Sequence, residues 1–135
     1  MKTPVQFEFR SNKFPPCDGE KEQINPGLWG KRLAEYVKEK LVAHGIETRE
    51  IGMEDWGCLL EVKNESFALS VACGHQSGDD DEFLCFIEPS TPVIRKWFKK
   101  IDTTQDVGRL SATLEKIFRA DPDIRELRCL SDDEK

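Results

Sequence analysis

Long apolar runs are absent from this chain. No stretch approaches the roughly 18 consecutive apolar residues that cross a bilayer. The opening Met-Lys-Thr-Pro-Val-Gln-Phe-Glu holds no apolar h-region, so it does not read as a signal peptide. A basic excess is also missing. The net charge is −6, which disfavours a nucleic-acid surface, since that needs a strongly basic patch. Histidine occurs only as His44 and His75, and no CxxC pair occurs among Cys17, Cys58, Cys73, Cys85 and Cys129. An odd number of cysteines without a secretory signal points to a reducing, cytoplasmic setting rather than a disulfide framework. No internal repeat, low-complexity segment or specific catalytic, metal or nucleotide signature is present, so neither a cofactor nor a metal is expected.

What is present suits one soluble domain. The chain has 135 residues, 38% hydrophobic and 34% charged. At this length a single core buries about two thirds of the surface the unfolded chain exposes, without a staple. The organising stretch is Gly52 to Glu88. Its three short apolar runs, Cys58 to Val62, Phe67 to Cys73 and Phe83 to Ile87, are separated by polar breaks in the manner of an antiparallel meander. Phe67, Leu69, Val71 and Cys73 alternate with Ala68, Ser70 and Ala72, so the large face is expected to meet helices. The continuously apolar Phe83 to Ile87 reads as a central strand.

Around the meander, Val5, Phe7 and Phe9 alternate with polar residues and predict a first strand, which Phe14-Pro15-Pro16 ends. Asn25-Pro26 reads as a helix cap, with Ile24 and Trp29 as a staple. Trp29, Leu33, Tyr36, Val37, Leu41 and His44 then form a stripe that predicts a helix over about 26–44, closed by Gly45. The mostly polar 46–51 predicts an edge strand. Thr91-Pro92 with Ile94, Trp97, Phe98 and Ile101 predicts a helix over about 92–101. Val107, Leu110, Leu114, Ile117 and Phe118 predict another over about 104–120. A short strand over about 124–130 and a frayed tail from 131 complete the chain. Strands joined by hairpins with helices at either end imply an α+β fold. Five to six largely antiparallel strands are expected, with the helices on one face.

Asn25-Pro26-Gly27-Leu28-Trp29-Gly30-Lys31-Arg32-Leu33, Glu54-Asp55-Trp56-Gly57, Phe83-Leu84-Cys85-Phe86-Ile87-Glu88-Pro89 and the run from Trp97 to Thr104 resemble a small family of uncharacterised bacterial proteins. The resemblance covers nearly the whole chain. It implies a stand-alone, single-domain bacterial protein and carries no activity or catalytic residue with it. That family's pattern has a second aromatic after Asp-Trp-Gly, where this chain has Cys58.

Four clusters could carry chemistry. Glu54-Asp55-Trp56 is either a recognition patch for a basic partner or a tight turn anchored by a core indole. Cys73 and His75 pair a thiol with an imidazole, but on a strand such residues stand about 6–7 Å apart. His75 with Asp79, Asp80, Asp81 and Glu82 is the only metal-like grouping. Its consecutive acids lack the alternating spacing of a calcium loop, and a solvated turn is the simpler reading. Arg95, Lys96, Lys99 and Lys100 read as the wet side of the helix bearing Trp97, with Trp97 and Phe98 in the core.

These features favour a small acidic protein-binding module of inhibitor, immunity or regulatory type. It would engage a basic protein surface through Glu54, Asp55, Trp56, His75, Asp79, Asp80, Asp81 and Glu82, with neither nucleic acid nor membrane as partner. The rival is a small enzyme or ligand-binding domain with a cleft near Glu54, Asp55, Cys73 and His75. A homodimer through an uncovered sheet face, using Ala68, Ser70 and Ala72 or an edge strand, is a third arrangement.

Overall fold

The structure, a computed structural model, describes residues 3–15, 29–75 and 81–132. The elements run β1 (Pro4–Arg10), α1 (Lys31–Ala43), β2 (Thr48–Glu54), β3 (Gly57–Val62), β4 (Leu69–His75) and β5 (Glu82–Glu88). They continue with β6 (Val93–Lys96), β7 (Lys99–Asp102), α2 (Thr104–Ala120) and β8 (Arg125–Ser131). Six strands form one antiparallel sheet in the order β2-β3-β4-β5-β1-β8, and β6 and β7 form a separate hairpin. The layout is the expected α+β.

Alternation decides which face the helices cover. Val5, Phe7 and Phe9 of β1 are buried with Cys85 and Ile87 of β5, Val71 and Cys73 of β4 and Leu60 of β3. Over them lie Leu33, Val37 and Leu41 of α1 and Leu110, Leu114 and Phe118 of α2, in one core. Phe118 packs on Phe7 and Phe9 at ring separations of 5.7 and 5.0 Å, which sets α2 over β1. Aromatic pairs at such distances add to the stabilisation from burial alone. Cys58, Cys73 and Cys85 are register partners in turn across β3 to β5 and all three are buried, so the core holds a row of thiols that the exposed Met53 of β2 extends to the sheet edge.

The polar β2 is the edge strand, and β5 lies between β4 and β1. Leu84 and Phe86 of β5 are only half-buried, because among the described residues no helix covers the other face.

Two expectations need correction. Among the described residues the helix expected over about 26–44 begins at Lys31, and Trp29 stands before it, donating its indole N–H to the Phe14 carbonyl at 3.2 Å. The Asn25-Pro26 cap and the Ile24 staple lie outside the described residues. Gly30 sits where a Cβ would come 2.2 Å from the Cys73 carbonyl oxygen, so the chain enters α1 in backbone contact with β4. The C-terminal reading holds. Gly45 has φ +83°, and the Ile46 N–H donates to the Leu41 carbonyl, closing a Schellman motif.

The larger correction is at 92–101, which is the β6–β7 hairpin and not a helix. Ile94, Trp97, Phe98 and Ile101 fit a helical stripe. They equally fit two short strands in which Ile94 and Ile101 are cross-strand partners and Trp97-Phe98 is the tip. Short apolar runs satisfy both periods, and tertiary contacts arbitrate. Ile94 and Ile101 pack on the core, and the base is closed by bonds from the Thr103 hydroxyl to the Thr91 carbonyl and from the Thr103 N–H to the Pro92 carbonyl. Trp97 and Phe98, expected in the core, are 88% and 103% exposed.

Candidate functional site

The sheet has two distinct ends. Glu54 pairs with Gly57, so Asp55 and Trp56 form a two-residue turn between β2 and β3. Gly57 is required there: its φ is +150°, and a Cβ would meet the Cys73 carbonyl oxygen at 2.5 Å. Cys58 pairs with Cys73, and His75 with Phe83. This register brings the Glu54–Gly57 turn, His75 at the end of β4 and Glu82 at the start of β5 to the same end of the sheet. Asp79 and Asp80 lie outside the described residues.

Trp56 is 37% exposed and its ring centroid lies 6.0 Å from that of Phe86. It therefore stands over the helix-free face, where Leu59, Ala72 and Phe86 are register neighbours. Ala72 is fully buried there although no helix covers it, because larger neighbours close over it. Glu54 and Asp55 are exposed, and among the described residues neither has an ion-pair partner.

Asp81 and Glu82 serve a different purpose. The Arg10 guanidinium donates to Asp81 at 2.8 Å and to Glu82 at 2.6 Å, and its Nε is 3.1 Å from Glu126. Arg125 holds the other Asp81 oxygen at 2.7 Å. These half-buried pairs pin the start of β5 to β1 and β8. The two carboxylates are engaged in ion pairs within the fold.

Cys73 and His75 share the helix-facing side, and both are buried. The Cys85 thiol, 3.7 Å from the Cys73 sulfur, together with burial pushes the Cys73 thiol well above its usual range. It is held as a thiol, whereas nucleophilic attack needs the thiolate. The His75 ring stacks on Trp29 at 3.9 Å and meets Phe83 edge-on at 5.4 Å, so it is a packing residue. Glu54 and Asp55 are on the exposed turn, whereas Cys73 and His75 face the helices.

A further polar cluster was not anticipated. Asp121 accepts from Lys13 and from the Tyr36 hydroxyl, both at 2.7 Å. Burial tends to raise the Asp121 carboxyl, but the bonds from Lys13 and Tyr36 outweigh it and hold the group below its usual range. Burial, followed by the Asp121 hydrogen bond, raises the Tyr36 phenol. The cluster fastens the end of α2 to α1 and the segment after β1.

At the opposite end of the sheet, a cleft of about 420 Å³ lies between the base of the β6–β7 hairpin, the start of α2 and the end of β8. Val5, Pro92 and Val107 line it with Thr91, Thr103 and Asp132, and none of the sequence-predicted residues reaches it. Beyond it stands the hairpin. Lys96 pairs with Lys99 and Arg95 with Lys100 directly behind the Trp97-Phe98 tip. Among the described residues none of these four cations is ion-paired. Trp97 has φ +60° at the first tip position, which hairpin turns ordinarily give to Gly, Asn or Asp. A side chain there costs about 1–2 kcal/mol. The signal in the sequence was the symmetry of Arg-Lys-Trp-Phe-Lys-Lys, which suits a two-residue turn as well as a helix face.

Comparison with protein-family models, with curated proteins and with solved structures finds no match.

Proposed function

We propose that this chain is a small cytoplasmic protein-binding module of inhibitor, immunity or regulatory type, which docks a partner with a basic surface and performs no catalysis. The observation that carries this reading is Trp56, about a third exposed at a turn tip, lying over Phe86 on a sheet face that no helix covers among the described residues, beside two exposed carboxylates with no ion-pair partner among those residues. Tryptophan is enriched at binding hot spots, where a partly buried ring presents a large rigid area at low entropic cost. Glu54 and Asp55 supply charge that steers a basic partner and suppresses acidic ones. The inert environment of Cys73 speaks against the rival nucleophile reading. The binding surface in this proposal is narrower than the sequence suggested, because Asp81 and Glu82 are engaged by Arg10 and Arg125.

Affinity capture from the native host at low salt tests this, with the wild-type chain beside the double substitution Glu54→Lys, Asp55→Lys. Both positions are exposed, so the variant keeps the fold. The expected result is a protein recovered by the wild type and lost with the variant. Identical recovery from both, or nothing above background, overturns the reading.

A further inference from the structure

The β6–β7 hairpin has the chemistry of an interfacial anchor at the other end of the molecule. Residues 93–102 hold four cations and one carboxylate, a net +3, while the rest of the chain holds −9 of the overall −6. A tip bearing two exposed aromatic rings contributes nothing to the core, and Trp97 occupies a backbone conformation that favours Gly, Asn or Asp over an aromatic residue. Local features that cost stability and are not repaid by packing point to a use outside the fold. The pattern is also symmetric. Lys96 and Lys99 lie on one face of the hairpin, and Arg95 and Lys100 on the other, one step further back. The apolar tip therefore carries a collar of cations on every side.

We infer that the Trp97-Phe98 tip docks on the surface of an anionic lipid bilayer, with the rings at the headgroup–acyl boundary and the four cations at the phosphate level. Tryptophan favours that boundary because its ring is apolar and its N–H polar. Each cation held near an anionic surface raises partitioning about fivefold. The field of such a surface decays within about 8 Å at physiological ionic strength, so it attracts the collar and scarcely senses the acids of the far end. Three acids share shallow clefts with the collar, Glu61 and Glu65 beside Lys96 and Glu88 beside Arg95 and Lys96, and Glu61 is already paired with Arg49 at 3.3 Å. A convex tip with cations on all sides matches a planar interface. Single-stranded nucleic acid instead needs a groove that tracks its backbone. The expectation of no membrane contact followed from the missing transmembrane span, which a surface anchor does not need. Among the described residues no helix is long and apolar enough to cross a membrane.

Co-sedimentation of the full chain with phosphatidylcholine vesicles, and with vesicles containing 30% phosphatidylglycerol, tests the inference. Binding to the anionic vesicles only is expected, with loss in 0.5 M salt and a blue shift of tryptophan emission that is absent when Trp97 is replaced by Ser. Replacing both tip aromatics (Trp97→Ser, Phe98→Ser) should weaken binding at least tenfold. The pair Lys96→Glu, Lys99→Glu should weaken it at least thirtyfold. These positions are exposed, so unchanged circular dichroism is expected to accompany the loss. No sedimentation with anionic vesicles, equal binding to both vesicle types, or binding indifferent to either pair of substitutions overturns it. So does quenching of Trp97 by oligo-dT without any vesicle binding, which assigns the tip to nucleic acid. All of these outcomes are independent of Glu54, Asp55 and Trp56, so failure here leaves the protein-binding proposal standing, and the reverse.

Discussion

Trp56 and Trp97 both sit at the tip of a two-residue turn, in opposite circumstances. Trp56 is folded back over Phe86, and its turn is built on a glycine, Gly57, whose backbone touches β4. Trp97 points into solvent, and its turn places the indole where glycine would be easier. One end of the sheet is shaped by packing. The other is tethered at Ile94 and Ile101 and otherwise free of core constraints. An aromatic residue retained where it stabilises nothing says more about use than one that also fills a gap.

That contrast is open to direct attack. The largest effect should come from Gly57→Ala. A Cβ 2.5 Å from a backbone oxygen cannot be absorbed by a rotamer change, and the φ of +150° is unfavourable to alanine. A loss of about 3 kcal/mol is expected in urea denaturation, by overpacking and backbone strain together. A neutral result would mean that the turn is not held against β4.

Next is Trp56→Ala, which should cost about 2 kcal/mol for the buried part of the ring. Trp97→Ala, measured beside it, should leave the denaturation midpoint unchanged. If the two cost the same, the difference drawn between the ends disappears.

A smaller effect, about 1 kcal/mol, is expected for Tyr36→Phe, which removes the hydroxyl bonded to Asp121. Tyr36 is the single tyrosine of the chain, so tyrosinate absorbance reads it directly. Its folded-state value is raised above the unfolded value near 10. The stabilisation is therefore complete below about pH 10 and is lost as pH rises through the folded value. No tyrosinate should form near pH 10.5 while the protein stays folded, and Asp121→Asn should bring ionisation down. Asp121 itself is depressed, so its contribution is present above about pH 4 and is lost as pH falls through its folded value. Ordinary phenol titration in the native protein would contradict the cluster.

The smallest effect has the opposite sign. Trp97→Gly should stabilise the fold by about 0.5 kcal/mol, because the positive φ no longer opposes a side chain and no packing is lost. Destabilisation would show that the tip packs on something.

Local pattern disclosed most of the scaffold. Val5, Phe7 and Phe9, the stripe of α2 and the alternation of β4 each bury the side that their period predicts, because one face of every element meets the same core. The pattern misled where two periods coincide. Ile94, Trp97, Phe98 and Ile101 satisfy both a helix and a hairpin, and only contacts of Ile94 and Ile101 with distant residues decide between them. The candidate site was partly visible. Glu54-Asp55-Trp56 was recognisable as a turn, but whether the acids at 81 and 82 are free depends on Arg10, more than seventy positions away in sequence. Gly30 looked like a helix residue, and only the closeness of the Cys73 carbonyl shows what it is for.

The position of β1 between β5 and β8 has a consequence for how the chain is made. Pro4 lies opposite Ser131, so the first and last strands are neighbours in the sheet. While the chain is being synthesised, β1 cannot find either of its partners until β5 has appeared, and it keeps an open edge until β8 does. Non-local pairing of this kind slows folding. Joining residue 131 to residue 4 by a short linker, and opening the chain between Pro15 and Trp29, would make β8 and β1 local to one another without separating β2, β3, β4 and β5. Such a permuted chain should reach the same sheet faster.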